Sequence, residues 1–347
     1  MKWYKEHIMS EEKVFLTYNQ QLKKLRNNKK ITCNNSTKDK EILVRMGYFN
    51  IVNGYKYPFI CGIDNTGKHI YLPNTDLANI YELKKFDEKL RSFLLRYITQ
   101  IEEEVRTLTG YKFDQCNDNG KIPWYDANAY SEKARLQNKI SAISSAYSEL
   151  SKSQLDYVKF YMNQHTSIPT WIMIKVINFS TFIDVLNNSK MIVKHSLCEL
   201  YGMIDEKGYP DVKLLIGSLH WLRKVRNSCA HNERIYCITE TKDKSKKGRI
   251  KEKYFKQLRA SYSKDTEKKL MDLLIYFKYY LPASEFKNMM KEFIEMLSAI
   301  KKEVSQNAFD NIRGQMGIKD IDDLKILVEL KKEKINYNTF DRKVENK

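Results

Sequence analysis

The run from Leu83 to Leu108 constrains this chain more than any other stretch. Leu83, Phe86, Leu90, Phe93, Leu94, Tyr97, Ile98, Ile101, Val105 and Leu108 recur at steps of three and four, which aligns them as one apolar stripe on an α-helix. The spacing predicts a helix over 83–109, closed by Gly110. Lys84, Lys85, Lys89, Arg91 and Arg96 surround the stripe, and Glu102, Glu103 and Glu104 fall late in it.

Most other patterns are helical as well. Val14, Leu16, Leu22 and Leu25 predict a short helix within 11–30, ending in Asn27-Asn28-Lys29-Lys30. Asn34 to Thr37 can cap a second helix carrying Ile42, Leu43 and Met46 and ended by Gly47. Tyr48, Phe49, Tyr55, Tyr57 and Phe59 then crowd around Gly54 and Pro58. They read either as an aromatic plug or as a surface for stacking bases beside Arg45 and Lys56. Strand signals are confined to 60–71. After a polar loop at 111–128, helical patterns return over 131–150, 171–186, 197–203, 271–281, 286–300, 304–317 and 324–330. The segment 171–186 is strongly apolar and is expected at the centre of the packing. The chain therefore reads as all-α with minor strand content. A small N-terminal helical and aromatic subdomain covers 1–80, a helical domain covers 81–330 with a basic loop at 238–256, and a charged tail covers 331–347.

The densest cluster of reactive side chains is Arg226-Asn227-Ser228-Cys229-Ala230-His231. Asp211 can cap the helix that carries it. Val212, Leu215, Leu219, Leu222, Val225 and Cys229 form its apolar stripe, and Arg226 falls within that stripe. A guanidinium there is costly unless it is paired or faces something other than core. At 100° per residue His220, Asn227 and His231 share another face, with Lys224 beside them. Imidazole and guanidinium suffice to cut RNA without a metal. A neutral His can take the proton of a 2′-hydroxyl, and an imidazolium can protonate the leaving 5′ oxygen. An Arg can hold the phosphate as its charge grows. Asn227, one turn before His231, could orient the imidazole or a phosphate oxygen.

Arg226 to His231, in the form Arg-Asn-x-x-Ala-His, resembles the Arg-x4–6-His motif of HEPN ribonucleases. Its surroundings resemble the Abi-like family, of the AbiD/AbiF abortive-infection type. The blocks that carry the likeness are Phe15 to Leu22, Met46 to Tyr55, Phe86 to Arg91 with Ile101-Glu102, Pro169-Thr170-Trp171-Ile172, and Ile177-Asn178-Phe179-Ser180-Thr181. The sequence departs from the family pattern at Ser180, where members usually carry Gly, and near Lys175, where they usually carry an acid. The resemblance implies an HEPN-type helical bundle and cleavage to a 2′,3′-cyclic phosphate and a 5′-hydroxyl. His231 would be the acid/base, Arg226 the phosphate ligand and Asn227 the orienting residue. Glu102, on the long helix before the motif helix, could position Arg226 or His231. Paired motifs are general among HEPN ribonucleases, so a single motif implies a homodimer. The implied role is phage defence, restrained by a structured non-coding RNA.

Bulk charge points the same way. The formal net charge is +18 and the pI is near 9.3, which suits a polyanionic partner, here RNA. The alternative is a Lys-rich codon bias with no partner behind it. The RNA-binding candidates are His220, Arg223 and Lys224 on the motif helix, and Lys244, Lys246, Lys247, Arg249 and Lys251 in the basic loop. Six scattered Cys without a CxxC pair argue for a reducing, cytoplasmic setting rather than a disulfide framework. No metal or other cofactor is expected, because neither zinc-ligand spacing nor clustered carboxylates at two-metal spacing occur. Met1 to Ser10 is polar and charged, and no apolar run reaches membrane-spanning length, so no membrane partner is expected. Two other functions remain open: a non-catalytic RNA-binding module using the same basic surface, and a structural interaction protein.

Overall fold

The computed structural model describes residues 14–241, 253–258, 262, 267–332 and 334–341. With 68% of residues helical and 5% in strands, the chain is an all-α protein. It divides into two compact units, Met1–Glu88 with Met296–Arg313, and Lys89–Glu295 with Gly314–Lys347.

In the N-terminal unit, α1 (Tyr18–Lys29) begins at a capping box in which Thr17 and Gln20 exchange hydrogen bonds, satisfying donors that a helix start leaves orphaned. Asn35 accepts from the backbone of Lys38 and starts α2 (Ser36–Met46); Gly47 ends it at a positive φ of 76°. The strand signal resolves into an antiparallel hairpin, β1 (Ile60–Ile63) and β2 (His69–Tyr71). The aromatic segment before it divides. Tyr55 and Phe59 are core, with the Tyr55 hydroxyl donating to Asp87 at 2.9 Å, whereas Phe49 is 75% and Tyr57 51% exposed.

The long helix is longer than its stripe predicts. α3 runs over Leu77–Cys116 and passes straight through Gly110. That glycine is a point of close approach: a Cβ there would lie 3.3 Å from Ile174 Cγ2. The second unit continues with α4 (Leu136–Lys152), α5 (Asp156–Gln164), α6 (Thr170–Val176), α7 (Phe179–Asn188), α8 (Met191–Tyr201) and α9 (Val212–Ala230). Then come β3 (Glu240–Thr241), α10 (Lys253–Leu258) and β4 (Glu267–Lys268), with β3 and β4 paired antiparallel. The chain closes with α11 (Leu270–Tyr280), α12 (Ala283–Glu303), α13 (Gln306–Gln315) and α14 (Asp322–Glu329).

One further expectation is corrected. The apolar stretch 171–186 is two helices, because Ile177 is extended and Asn178 caps α7 by accepting from Ser180 and Thr181 N–H groups. The helix buried on every side is α11, all of whose residues are buried, as expected for one apolar around its whole circumference. Among the described residues no helix is long and apolar enough to cross a membrane.

Candidate functional site

The motif helix α9 forms as its caps and stripe require. Asp211 accepts from the backbone of Leu214 at 2.9 Å. Leu215, Leu219, Leu222, Val225 and Cys229 are buried. The helix stops at Ala230; His231 leaves it at φ −93°, ψ 13°, and Asn232 turns into the left-handed region at φ 57°. Ser228 fastens this end, its carbonyl accepting from Glu233 N at 3.0 Å and its hydroxyl donating to the Glu233 carboxylate at 2.5 Å. Asn227 and His231 are both exposed.

Arg226 solves the problem of its place in the stripe by pairing. Its Nε lies 3.6 Å from Oε2 of Glu102, with the Arg226 side chain 38% and the Glu102 side chain 10% exposed. The other Glu102 oxygen, Oε1, accepts from Nε and Nη2 of Arg106, one turn further along α3, at 3.0 and 2.6 Å. Arg106 Nη1 in turn donates to the carbonyls of Ile174 and Ile177, at 2.6 and 2.9 Å. These are carbonyls that the end of α6 leaves without helical partners. The Arg106 guanidinium also sits over the Phe182 and Phe179 rings, at 4.8 and 5.7 Å. Burial pushes its pKa down and Glu102 restores part of it, while the charge of Arg226 presses downward again. Two arginines thus share the buried Glu102 carboxylate, Glu149 adds a second negative charge near Arg106, and the more open member of the group is Arg226.

Asn227 serves Arg226 here. Its Oδ1 accepts from Arg226 Nη1 at 3.2 Å, and among the described residues no hydrogen bond joins the Asn227 and His231 side chains. Opposite, Glu149 of α4 accepts from the backbone of Asn178 and from the Thr181 hydroxyl, each at 2.6 Å, placing an acid at the start of α7, where the helix dipole favours it.

The predicted cationic set separates. Arg223 Nη1 donates to the hydroxyl of Ser180 at 2.9 Å, so this departure from the family pattern supplies an acceptor; its Nε is buried without a partner. Lys224 donates to the Thr239 carbonyl at 2.9 Å and lies over the Trp221 ring. His220 is half-buried; burial lowers its pKa, Arg223 and Lys268 push the same way, and Asp184 and Glu240 oppose them. His220 and His231 stand three turns apart, about 16 Å along the axis at 1.5 Å per residue, too far to flank one phosphate. Lys244, Lys246, Lys247, Arg249 and Lys251 lie outside the described residues. Among the described residues no three His, Cys, Asp or Glu side chains gather as a metal site.

Sequence reasoning missed Arg106, Glu149 and Asp184. Arg106 had a readable signal, since Glu102 and Arg106 are four apart on a helix. Asn178 had one too, because Asn followed by apolar and hydroxyl residues is a helix-start signature. Glu149 and Asp184 carried none.

Fold and site together define an all-α protein whose second unit holds a half-exposed, carboxylate-anchored arginine near the histidine-bearing end of the same helix. A model of the family described as Abi-like protein matches residues 41–237, a span that includes Glu102, Arg106, Arg226 and His231, and the chain belongs to that family. Membership suggests a part in abortive infection, a defence against phage. No curated protein and no solved structure matches the chain.

Proposed function

We propose that this protein is a metal-independent, HEPN-type endoribonuclease of the AbiD/AbiF kind, which acts in the cytoplasm and defends against phage by cutting RNA. The observation that carries the reading is the anchored Arg226. Glu102 holds one edge of its guanidinium and is already matched by Arg106, and Nη1 reaches the exposed Asn227, which leaves Nη2 of Arg226 to meet a phosphate.

In the reaction, the imidazole of one His231 takes the proton from a 2′-hydroxyl, and the oxygen attacks the adjacent phosphorus. Arg226 stabilises the charge gathering on the non-bridging oxygens. The bond from phosphorus to the 5′ oxygen breaks, and that oxygen takes a proton from a second imidazolium. The products are a 2′,3′-cyclic phosphate and a 5′-hydroxyl. His220 is too far along α9 to be the second imidazole, which favours a homodimer that brings two His231 side chains to one phosphate. A structured non-coding RNA bound to the basic surface would restrain the toxin.

A second reading, a non-catalytic RNA-binding module on the same surface, is favoured by one observation: Asn227 engages Arg226 and leaves the His231 ring without an orienting partner among the described residues. One experiment separates the two. Purified wild type, His231→Ala and Arg226→Ala are incubated with RNA in EDTA, and product ends are analysed. Cyclic-phosphate ends from wild type that both folded variants fail to make support the ribonuclease. Undiminished RNA binding without cleavage in all three supports the binding module.

A further inference from the structure

A different cluster stands out in the N-terminal unit, where α1 packs against β2. The hydroxyls of Tyr48 and Tyr71 and Nδ1 of His69 are buried without hydrogen-bond partners, although buried polar atoms are nearly always paired. Tyr71 is 8% exposed, so its hydroxyl is enclosed by the protein. Around these atoms lie cations and rings. Lys29 Nζ is 5.8 Å from the centre of the Tyr71 ring, and Lys56 Nζ is 5.4 Å from that of Tyr57. Tyr57 meets His69 edge to face with ring centres 6.3 Å apart.

These cations are close enough to repel one another. Burial lowers the pKa of Lys29, and the charges of Lys56 and Lys24 lower it further; burial, then Lys56 and Lys29, do the same to His69. Yet among the described residues no carboxylate forms an ion pair with Lys24, Lys29 or Lys56. A folded chain that gathers unpaired ammonium groups and unpartnered phenolic donors in one place, beside an exposed ring, matches one ligand chemistry. Phosphate oxygens accept from the ammonium groups, and a base lies against the ring.

We propose that this surface binds the backbone of a single-stranded polynucleotide, with Lys29 and Lys56 on phosphates and a base against Tyr57. The site is independent of cleavage at Arg226 and His231, because it is tested with a strand that has no free 2′-hydroxyl. A fluorescein-labelled 2′-O-methyl oligouridine 12-mer is titrated with wild type, Lys29→Gln/Lys56→Gln, Tyr57→Ala and Tyr57→Phe, and anisotropy is followed over a range of salt. A slope of about −0.7 per single-strand phosphate contact predicts that the double variant binds roughly 25-fold more weakly near 0.1 M salt, with its slope reduced by about 1.4. Tyr57→Ala weakens binding roughly ten-fold and Tyr57→Phe leaves it unchanged, since stacking needs the ring alone. If the double variant does not fold, Lys56→Gln alone gives about a five-fold loss on the same reasoning. Wild-type affinity and salt slope in the double variant and in Tyr57→Ala would overturn the proposal. So would uridine monophosphate binding as tightly as the 12-mer, which would make this a mononucleotide site. Loss of binding to phosphatidylserine vesicles, with the 12-mer unaffected, would assign the surface to a membrane instead.

Discussion

Arg106 and Ile177 are joined by a hydrogen bond of 2.9 Å from Nη1 to the backbone carbonyl, and this contact ties the candidate site to the break between α6 and α7. The same guanidinium grips Glu102, which anchors Arg226. The arginine proposed to meet phosphate is therefore held in place by the residue that closes a neighbouring helix end.

Arg106 and Arg226 should differ sharply when removed. Arg106→Ala leaves Glu102 buried against a distant, half-exposed Arg226, and strips two carbonyls of their donor. Breaking a buried pair in this way costs about 3–5 kcal/mol. Arg226→Ala removes a 3.6 Å contact whose arginine is 38% exposed, and costs roughly 1 kcal/mol or less. Urea unfolding of both variants checks this. Equal losses would mean that Arg226 is a structural residue.

Glu102→Gln keeps the shape of the anchor but removes its charge. Under the proposed mechanism it lowers kcat about 10-fold or more through a less ordered Arg226, while Arg226→Lys, unable to form the fork, loses about 100-fold. Single-turnover cleavage by folded protein is the measurement. Full activity in Glu102→Gln would remove the positioning role.

Two glycines should respond oppositely to the same change. At Gly217, inside α9, nothing lies within 4 Å of an added Cβ, so Gly217→Ala stabilises by about 0.5–1 kcal/mol through helix propensity. At Gly110 the Cβ meets Ile174 at 3.3 Å, and crowding of about 1–3 kcal/mol exceeds that gain. Thermal unfolding of the two variants gives the signs directly.

Lys278 makes stability depend on pH in a definite window. It is 1% exposed within α11 and donates to the Leu327 and Val328 carbonyls at 2.6 and 3.3 Å; burial lowers its pKa to about 8. Below pH 8 folded and unfolded chains both hold the proton. Between about 8 and the ordinary value of 10.5 the unfolded chain binds more protons, so this residue's contribution to stability rises with pH. Lys278→Met should lack that increment. The difference between variant and wild type, followed by denaturant unfolding from pH 7 to 10, isolates it from the tyrosines that titrate above. A constant difference across that range would place the lysine's charge in contact with water.

Spacing and capping residues are enough to locate most helices and to show how several of them start. Periodicity is a local property, and so are the caps at Thr17, Asn35 and Asp211. The apolar stripe also marks Arg226 as out of place, and the resemblance to HEPN ribonucleases points to Glu102 on the preceding helix. Long-range packing settles what pairing means there. It brought α3 against α6, so that Gly110 is a point of contact inside a helix rather than its end. It made Arg106 the cap of α6, and so divided an apolar run that periodicity joins. It turned Tyr57 outward and Tyr55 inward, though both are tyrosines within one short aromatic segment. The physical reason is common to all of these. A buried charge, an open carbonyl or a small side chain gains its meaning from the segment packed against it, and no spacing within a single helix encodes which segment that will be.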